Sequence, residues 1–261
     1  MACAAPRGSG RLEAIRTNLV AAYFARYDNG YRVFNRFGFA PVTLRRKREH
    51  SYHHNDLRNA LLEEALVILR DEGDANFTLR DLARRVGVSH AAPYAHFADR
   101  RALLAAVAVR GYEGLCAAMS EARARAATPL EAFGEMGVAY VLFGWKHPAH
   151  YRLMFQAPEL AKADDLPELR AAEATAYAML DETVRFGHRA GFVTSGDPTT
   201  DSIVSWSHVH GMTSLLIDRH EFLGVSSEEE VVALTRAAIE RLLTVFLPAA
   251  QPARGLASRG A

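Results

Sequence analysis

The segment Thr78 to Leu103, TLRDLARRVGVSHAAPYAHFADRRAL, constrains this chain more than any other. Leu79, Leu82, Ala83 and Val86 fall at i, i+3, i+4 and i+7, which is one apolar stripe on a short helix. Thr78 with Asp81 has the pattern of a capping box, with Asp in place of the longer Glu. Gly87 stops that helix at a position suited to a left-handed residue, and Val88 turns back toward the core. Ser89 is placed to cap a second helix, whose outward residues are His90, Ala91, Tyr94 and Ala95. Small side chains followed by a hydrogen-bonding aromatic suit a helix that lies close to base edges. The spacing predicts a helix-turn-helix. A compact three-helix core without a ligand would carry the same stripe.

The residues beyond the turn separate these readings. Tyr94, His96 and Phe97 precede Asp99, Arg100 and Arg101, at the start of an apolar run with Leu103, Leu104 and Val107. Asp99 can cap this helix, leaving Arg100 near its N-terminus to meet a phosphate. From Tyr52 to about Val107 the chain closely resembles the tetracycline-repressor (TetR) family of bacterial regulators. Their recognition helix ends in Tyr-x-His-Phe before a cap and a basic residue, here Tyr94, His96, Phe97, Asp99 and Arg100. The resemblance implies DNA contact through Thr78, Ser89, His90, Ala91, Ala92, Tyr94, Ala95, His96 and Arg100. The family usually has Leu, Ile or Val before the tyrosine, whereas this chain has Pro93. Proline in a first turn removes one intrahelical bond, which predicts a recognition helix that is bent or starts late.

Composition is compatible with a largely helical protein: 49% of the 261 residues are hydrophobic and 23% are charged. The net charge of +1 does not advertise a polyanionic partner, but Arg45, Arg46, Lys47 and Arg48 are consecutive. These four are candidate phosphate contacts. Cys3 and Cys116 offer neither a disulfide framework nor metal spacing, which fits a reducing cytoplasm. No continuous apolar run approaches eighteen residues, so no membrane span is expected, and no signal-peptide core is apparent.

Residues 1–50 alternate arginines with aromatics, among them Tyr23, Arg26, Tyr31, Arg32, Phe34 and Arg36. Such alternation can mark nucleic-acid contact. An extension packed weakly or not at all is the more ordinary reading, and a translation start downstream, for example at Val42, is a separate alternative. The first helix is expected from Asn55 to Asp71, with Leu62, Ala65, Leu66 and Leu69 inward and Arg58, Glu63, Glu64 and Arg70 solvated. His53 and His54 diverge on a helix and make no chelate.

From Ala102 to Leu247 the chain reads as helices only. The expected division is an extension (1–50), a helix-turn-helix domain (51–108), a helical effector and dimerisation domain (109–247) and a tail (248–261). The fold class is therefore all-α. Trp206, His210 and Gly211, in WSHVHG, resemble a Trp…His-Gly signature of one subclass of TetR C-terminal domains. The resemblance implies a homodimer whose last two helices pair with a second copy, through Trp206, His210, Gly211, Leu215, Leu234 and Leu242. It also implies a buried small-molecule effector, contacted by Tyr140, Phe143, Met154, Phe155, Tyr177, Trp206, His208 and Thr213. Trp206 would serve equally as plain core. With no arginine cluster in this half, composition favours a hydrophobic or aromatic effector over a phosphorylated one.

His208 and His210 point to nearly opposite sides of a helix, so no metal site is expected. No catalytic constellation and no cofactor motif stands out. The expectation is a homodimeric DNA-binding regulator, a repressor released from a palindromic double-stranded operator by a small effector. A ligand-independent DNA-binding protein and an enzyme on a helical bundle remain as alternatives.

Overall fold

The computed structural model describes residues 54–73, 76–161, 165–191, 193 and 196–246. The extension, the basic run Arg45–Arg48 and the tail from Pro248 lie outside the described residues. Among the described residues there are eight α-helices, one 3-10 turn and no strand. They are α1 (His54–Glu72), α2 (Leu79–Val86), the 3-10 turn Ala92–Ala95, α3 (Arg100–Arg125) and α4 (Pro129–Lys146). Then follow α5 (Pro148–Gln156), α6 (Pro167–Arg189), α7 (Pro198–Leu223) and α8 (Glu228–Phe246).

Helix starts are set by a repeated local device. Pro129, Pro148, Pro167 and Pro198 each open a helix, where a missing N–H removes no intrahelical bond. Thr128 and Asp197 accept from the backbone N–H groups of Glu131 and Thr200 at 3.1 and 3.0 Å. At α8, Ser227 accepts from Glu230 N–H at 3.2 Å, while the Glu230 carboxylate accepts from Ser226 N–H at 2.7 Å.

α3 is the central element, packed against α1 at its start and against α4, α5 and α6 farther along. Leu103, Leu104 and Val107 join Leu61, Leu62, Ile68, Leu82 and Phe97 in the core beneath the helix-turn-helix. Tyr112, Leu115 and Met119 continue the same helix into the second half of the molecule. α4 crosses α7 and α8 closely because two of its residues lack side chains. A Cβ on Gly144 would collide with Thr213, and one on Gly137 would lie 2.7 Å from Ile239.

Two expectations need correction, and one helix needs comment. The buried stripe of α1 is Leu61, Leu62, Ala65 and Ile68, with Leu66 and Leu69 only partly buried, because α1 is rotated toward α3. Its polar face is not simply solvated: Glu64 pairs with Arg85 at 3.5 Å, and Arg58 stacks 5.4 Å from the Phe97 ring centre. Finally, α3 is long and apolar enough to cross a membrane, although no continuous apolar run exists. Interspersed alanines raise its hydropathy, and half of the window is buried inside the protein as a core helix.

Candidate nucleic-acid interface and ligand cavity

The turn between α2 and the 3-10 segment is built by backbone hydrogen bonds. Gly87 takes φ 80°, and the N–H groups of Gly87 and Val88 both donate to the Ala83 carbonyl at 2.9 Å. Thr78 is committed to its own cap: Oγ1 accepts from Asp81 N–H at 3.1 Å and donates to the Asp81 carboxylate at 2.6 Å. Pro93 explains why the second helix is a single 3-10 turn. An α-helix would need residue 93 to donate to the Ser89 carbonyl, and proline has no N–H. Ala92 takes that carbonyl instead, at 3.0 Å and with the tighter spacing. Ser89 is therefore not the cap expected of it: its carbonyl accepts in the preceding turn, the N-cap is Ala91, and no side chain caps the segment.

The turn nevertheless presents the surface that the sequence predicted. Pro93 and Phe97 are buried beneath it, while Ser89, His90, Ala91, Tyr94 and Ala95 are exposed. Tyr94 is 52% exposed. Ala92 and His96 are half-buried, the latter at the edge of the Phe97 ring. Arg100 differs from expectation. Its guanidinium is held by Glu159 at 2.9 Å, and Arg101 beside it donates to the Glu159 carbonyl and to Asp165, both at 2.8 Å. A partner fifty-nine residues away is invisible to local pattern. Arg80 and Arg84, exposed on α2, add positive charge that the motif reading passed over.

The second half encloses a cavity of about 530 Å³ between α3, α4, α5, α6, α7 and α8. Rings line it: Tyr112, Phe133, Tyr140, Phe155, Tyr177 and Trp206, with Met119 and Met136 between them. A smaller cavity of about 310 Å³ adjoins it, sharing Tyr112, Phe155, Arg170, Glu173 and Trp206 and adding Met154, Gln156 and His210. At the cavities' polar end, Trp206 Nε1 donates to the Tyr140 hydroxyl at 3.4 Å. His210 Nδ1 lies 3.1 Å from the Tyr140 hydroxyl and 2.8 Å from that of Tyr151, which also donates to the His210 carbonyl at 3.0 Å. Burial raises the Tyr112 and Tyr140 hydroxyls far above the ordinary phenol range and lowers His210, so all three are neutral near pH 7.

Of the expected effector contacts, Tyr140, Phe155, Tyr177 and Trp206 line the larger cavity, and Met154 borders only the smaller. Phe143, His208 and Thr213 line neither. Phe143 is buried beside Gly114, and Thr213 donates to the Val209 carbonyl at 2.7 Å beside Gly144. His208 faces the other way and hydrogen-bonds the Ala238 backbone. Tyr112, Arg170, Glu173 and His210 were missed. Arg170 and Glu173 have the three-residue spacing of any solvated pair and carry no local signal, and His210 is expected at the interface.

Two expected interface residues point inward: His210 into the tyrosine cluster and Leu242 into the larger cavity. Trp206 lines the cavity while remaining 36% exposed. Leu215 and Leu234 are exposed, and a Cβ on Gly211 would meet nothing within 4 Å.

Comparison with known proteins agrees with this arrangement. Residues 61–107 match the family described as bacterial regulatory proteins, tetR family, and residues 133–242 match the tetracyclin repressor-like C-terminal domain. Together these cover more than half of the chain. A protein of unknown function from Rhodococcus sp. RHA1 is 32% identical, with a TM-score of 0.62 over 74% of this chain and 98% of its own. The fold is shared with the TetR family regulator PfmR from Thermus thermophilus, at 22% identity and a TM-score of 0.57, over 72% of this chain and 99% of that one. A TetR/AcrR family regulator from Thermobifida fusca is similar at 20% identity and a TM-score of 0.55, over 74% and 100%. No curated protein matches the chain. With a capped helix-turn-helix feeding directly into a helical body, and both parts matched, the chain belongs to the tetR family and is a DNA-binding regulator of transcription.

Proposed function

We propose that this regulator is a homodimeric repressor that leaves a palindromic operator when a small apolar molecule enters the cavity. The observation that carries the reading is α3: it starts directly behind the recognition turn and forms the cavity wall through Tyr112, Leu115 and Met119. A ligand that prefers one placement of this wall biases the placement of the head. Two recognition turns about 34–36 Å apart would enter successive major grooves. Ser89, His90, Ala91, Tyr94 and Ala95 would face the bases, with Ala92 and His96 supporting them and Arg80 and Arg84 near phosphates. Arg45 to Arg48 would form an arm onto the backbone or minor groove.

Dimerisation is supported by an unpartnered stripe. Val204, Leu215 and Phe222 on α7 and Leu234 on α8 are exposed, and Gly211 falls between Val204 and Leu215 with open space before it. A second copy using the same patch would cover them. We read WSHVHG as the mark of the Trp…His-Gly subclass, with no catalytic role or bound cofactor, acting in the cytoplasm where its DNA lies. The test is operator selection from random duplexes with the full chain, followed by displacement with a panel of apolar compounds. A dyad-symmetric consensus released by one of them is expected. Tight selection of a site that no compound in the panel displaces, despite calorimetric binding, would favour the ligand-independent alternative.

A further inference from the structure

We infer that the ligand is a one-headed amphiphile: its apolar tail fills the larger chamber while its polar head stays in water at a mouth between α6 and α7. The protein then reads the tail and not the head. The inference rests on the effector reading above and adds which part of the ligand is recognised. The mouth is visible in where the lining is exposed. Arg170, Glu173, Ala174 and Tyr177 fall at i, i+3, i+4 and i+7, forming one face of α6 along the cavity. Ala174 and Tyr177, with Trp206 across from them on α7, are exposed, and the side chains of Arg170 and Glu173 keep 41% and 44% of their surface. Gln156 and Pro158, at the edge of the smaller chamber, are exposed as well. Away from this side the lining is closed: Met119, Met136, Val209, Ile239 and Leu242 are all buried.

Tyr177 and Trp206 meet edge-on, ring centres 6.0 Å apart, and bridge the two helices at one end of the gap. Toward the start of α6 the gap runs past Arg170 and Glu173, the two charged residues of the lining, which pair at 2.7 Å. Both belong to α6, so their pairing does not bar the way to α7. The mouth also lies off the proposed dimer patch, because Trp206 is two residues from Val204 and hence roughly 200° around α7. The closed end offers a head nothing in exchange for its hydration. Ser205 Oγ already donates there to the Asp201 carbonyl at 2.7 Å, among apolar neighbours. A head left at the mouth keeps its water before and after binding. Its charge and bulk then cancel from the affinity, and burial of the tail supplies it.

The test titrates the full chain, without DNA, by calorimetry and tryptophan fluorescence. The probes are decanol, decanoate, decyltrimethylammonium and decyl maltoside, each below its micelle concentration. They share a tail and differ in the charge and bulk of the head, and their affinities are expected within tenfold of one another. Decanediol with a hydroxyl at each end must bring one of them into the closed end, and should bind at least tenfold weaker than decanol. Ala174→Trp narrows the mouth at an exposed position and should weaken decyl maltoside at least tenfold more than decanol. A spread beyond tenfold among the four, a diol as tight as decanol, or binding of none of them would overturn the inference. So would a folded Ala174→Trp protein that treats decyl maltoside and decanol alike. If that variant fails to fold, the probes on the natural chain still decide. Operator release is assayed separately. Probes that bind alike yet release no DNA refute the repressor reading alone, whereas release by one kind of head with a spread beyond tenfold refutes the ligand class alone.

Discussion

Arg100 and Glu159 meet at 2.9 Å, tying the first residue of α3 to the segment that follows α5. That segment, through Ala157, Pro158, Leu160 and Ala161, is also a wall of the smaller cavity. The contact thus joins the residue expected to neutralise a phosphate to the place where a ligand would press. Since Glu159 already occupies Arg100, Arg100→Ala should leave the salt dependence of operator binding nearly unchanged. Glu159→Gln should free Arg100 for a phosphate and steepen the salt slope by about one. The stability cost of either change should be at most about 1 kcal/mol, as expected for a solvent-accessible pair. Operator titrations over a salt series distinguish these outcomes.

Tyr94 offers a cleaner test of the recognition surface. Among the described residues its hydroxyl has no hydrogen-bond partner, and the side chain is 52% exposed. Tyr94→Phe should therefore leave thermal melting unchanged while weakening operator binding by roughly 1–3 kcal/mol. A thermal melt checks the first half, and fluorescence anisotropy on the selected operator, against unrelated DNA as control, checks the second.

Much of the fold was legible because its signals are local. Thr78 with Asp81, Gly87, Asp99, Thr128 with Pro129, and the serine–glutamate start of α8 act within one turn of chain. The cavity was legible only in composition. Aromatics in the second half announced an apolar interior, but which of them face it depends on how helices cross. Phe143 and Tyr140 are three residues apart on α4, and only Tyr140 reaches the cavity. His208 and His210 were correctly read as opposed, yet sequence could not say which faces inward. Pro93 showed where the recognition helix would be irregular, but not that it would shorten to four residues.

Gly144 and Gly211 should respond oppositely to a methyl group. A Cβ at Gly144 meets Thr213 and Tyr151, so Gly144→Ala should cost roughly 1–3 kcal/mol in denaturant unfolding. A Cβ at Gly211 meets nothing in the monomer, and Gly211→Ala should leave the single chain as stable or up to about 1 kcal/mol more so. Gly211→Leu should weaken self-association by roughly 1–3 kcal/mol. Sedimentation across a concentration series reads that change, and full retention of the dimer would move Gly211 out of the interface.

His150 makes a prediction about acid. Burial, helped by His147 and Arg110, lowers its pKa to about 4. An unfolded histidine titrates near 6.5, so between these values the unfolded chain binds more protons than the folded one. Stability should therefore be full above about pH 6.5 and fall as pH drops toward 4, by roughly 1–3 kcal/mol from this residue. His147, His208 and His210 are lowered by burial too and add with the same sign. Denaturant midpoints at pH 7.5 and pH 5 should differ less in His150→Gln than in the natural chain.

α3 serves two masters. Leu103, Leu104 and Val107 belong to the core under the DNA-facing turn, and Tyr112, Leu115 and Met119 belong to the cavity wall. From Leu103 to Met119 the helix rises about 24 Å, so a tilt of about 5° pivoted at one end displaces the other by roughly 2 Å. Such a rod cannot absorb a disturbance locally; it delivers it. Changes of ligand preference made on this helix will thus carry a toll in DNA affinity, whereas changes on α6, at Tyr177 or Ala176, will not. Divergence of ligand range among related chains should accordingly concentrate on cavity residues outside α3.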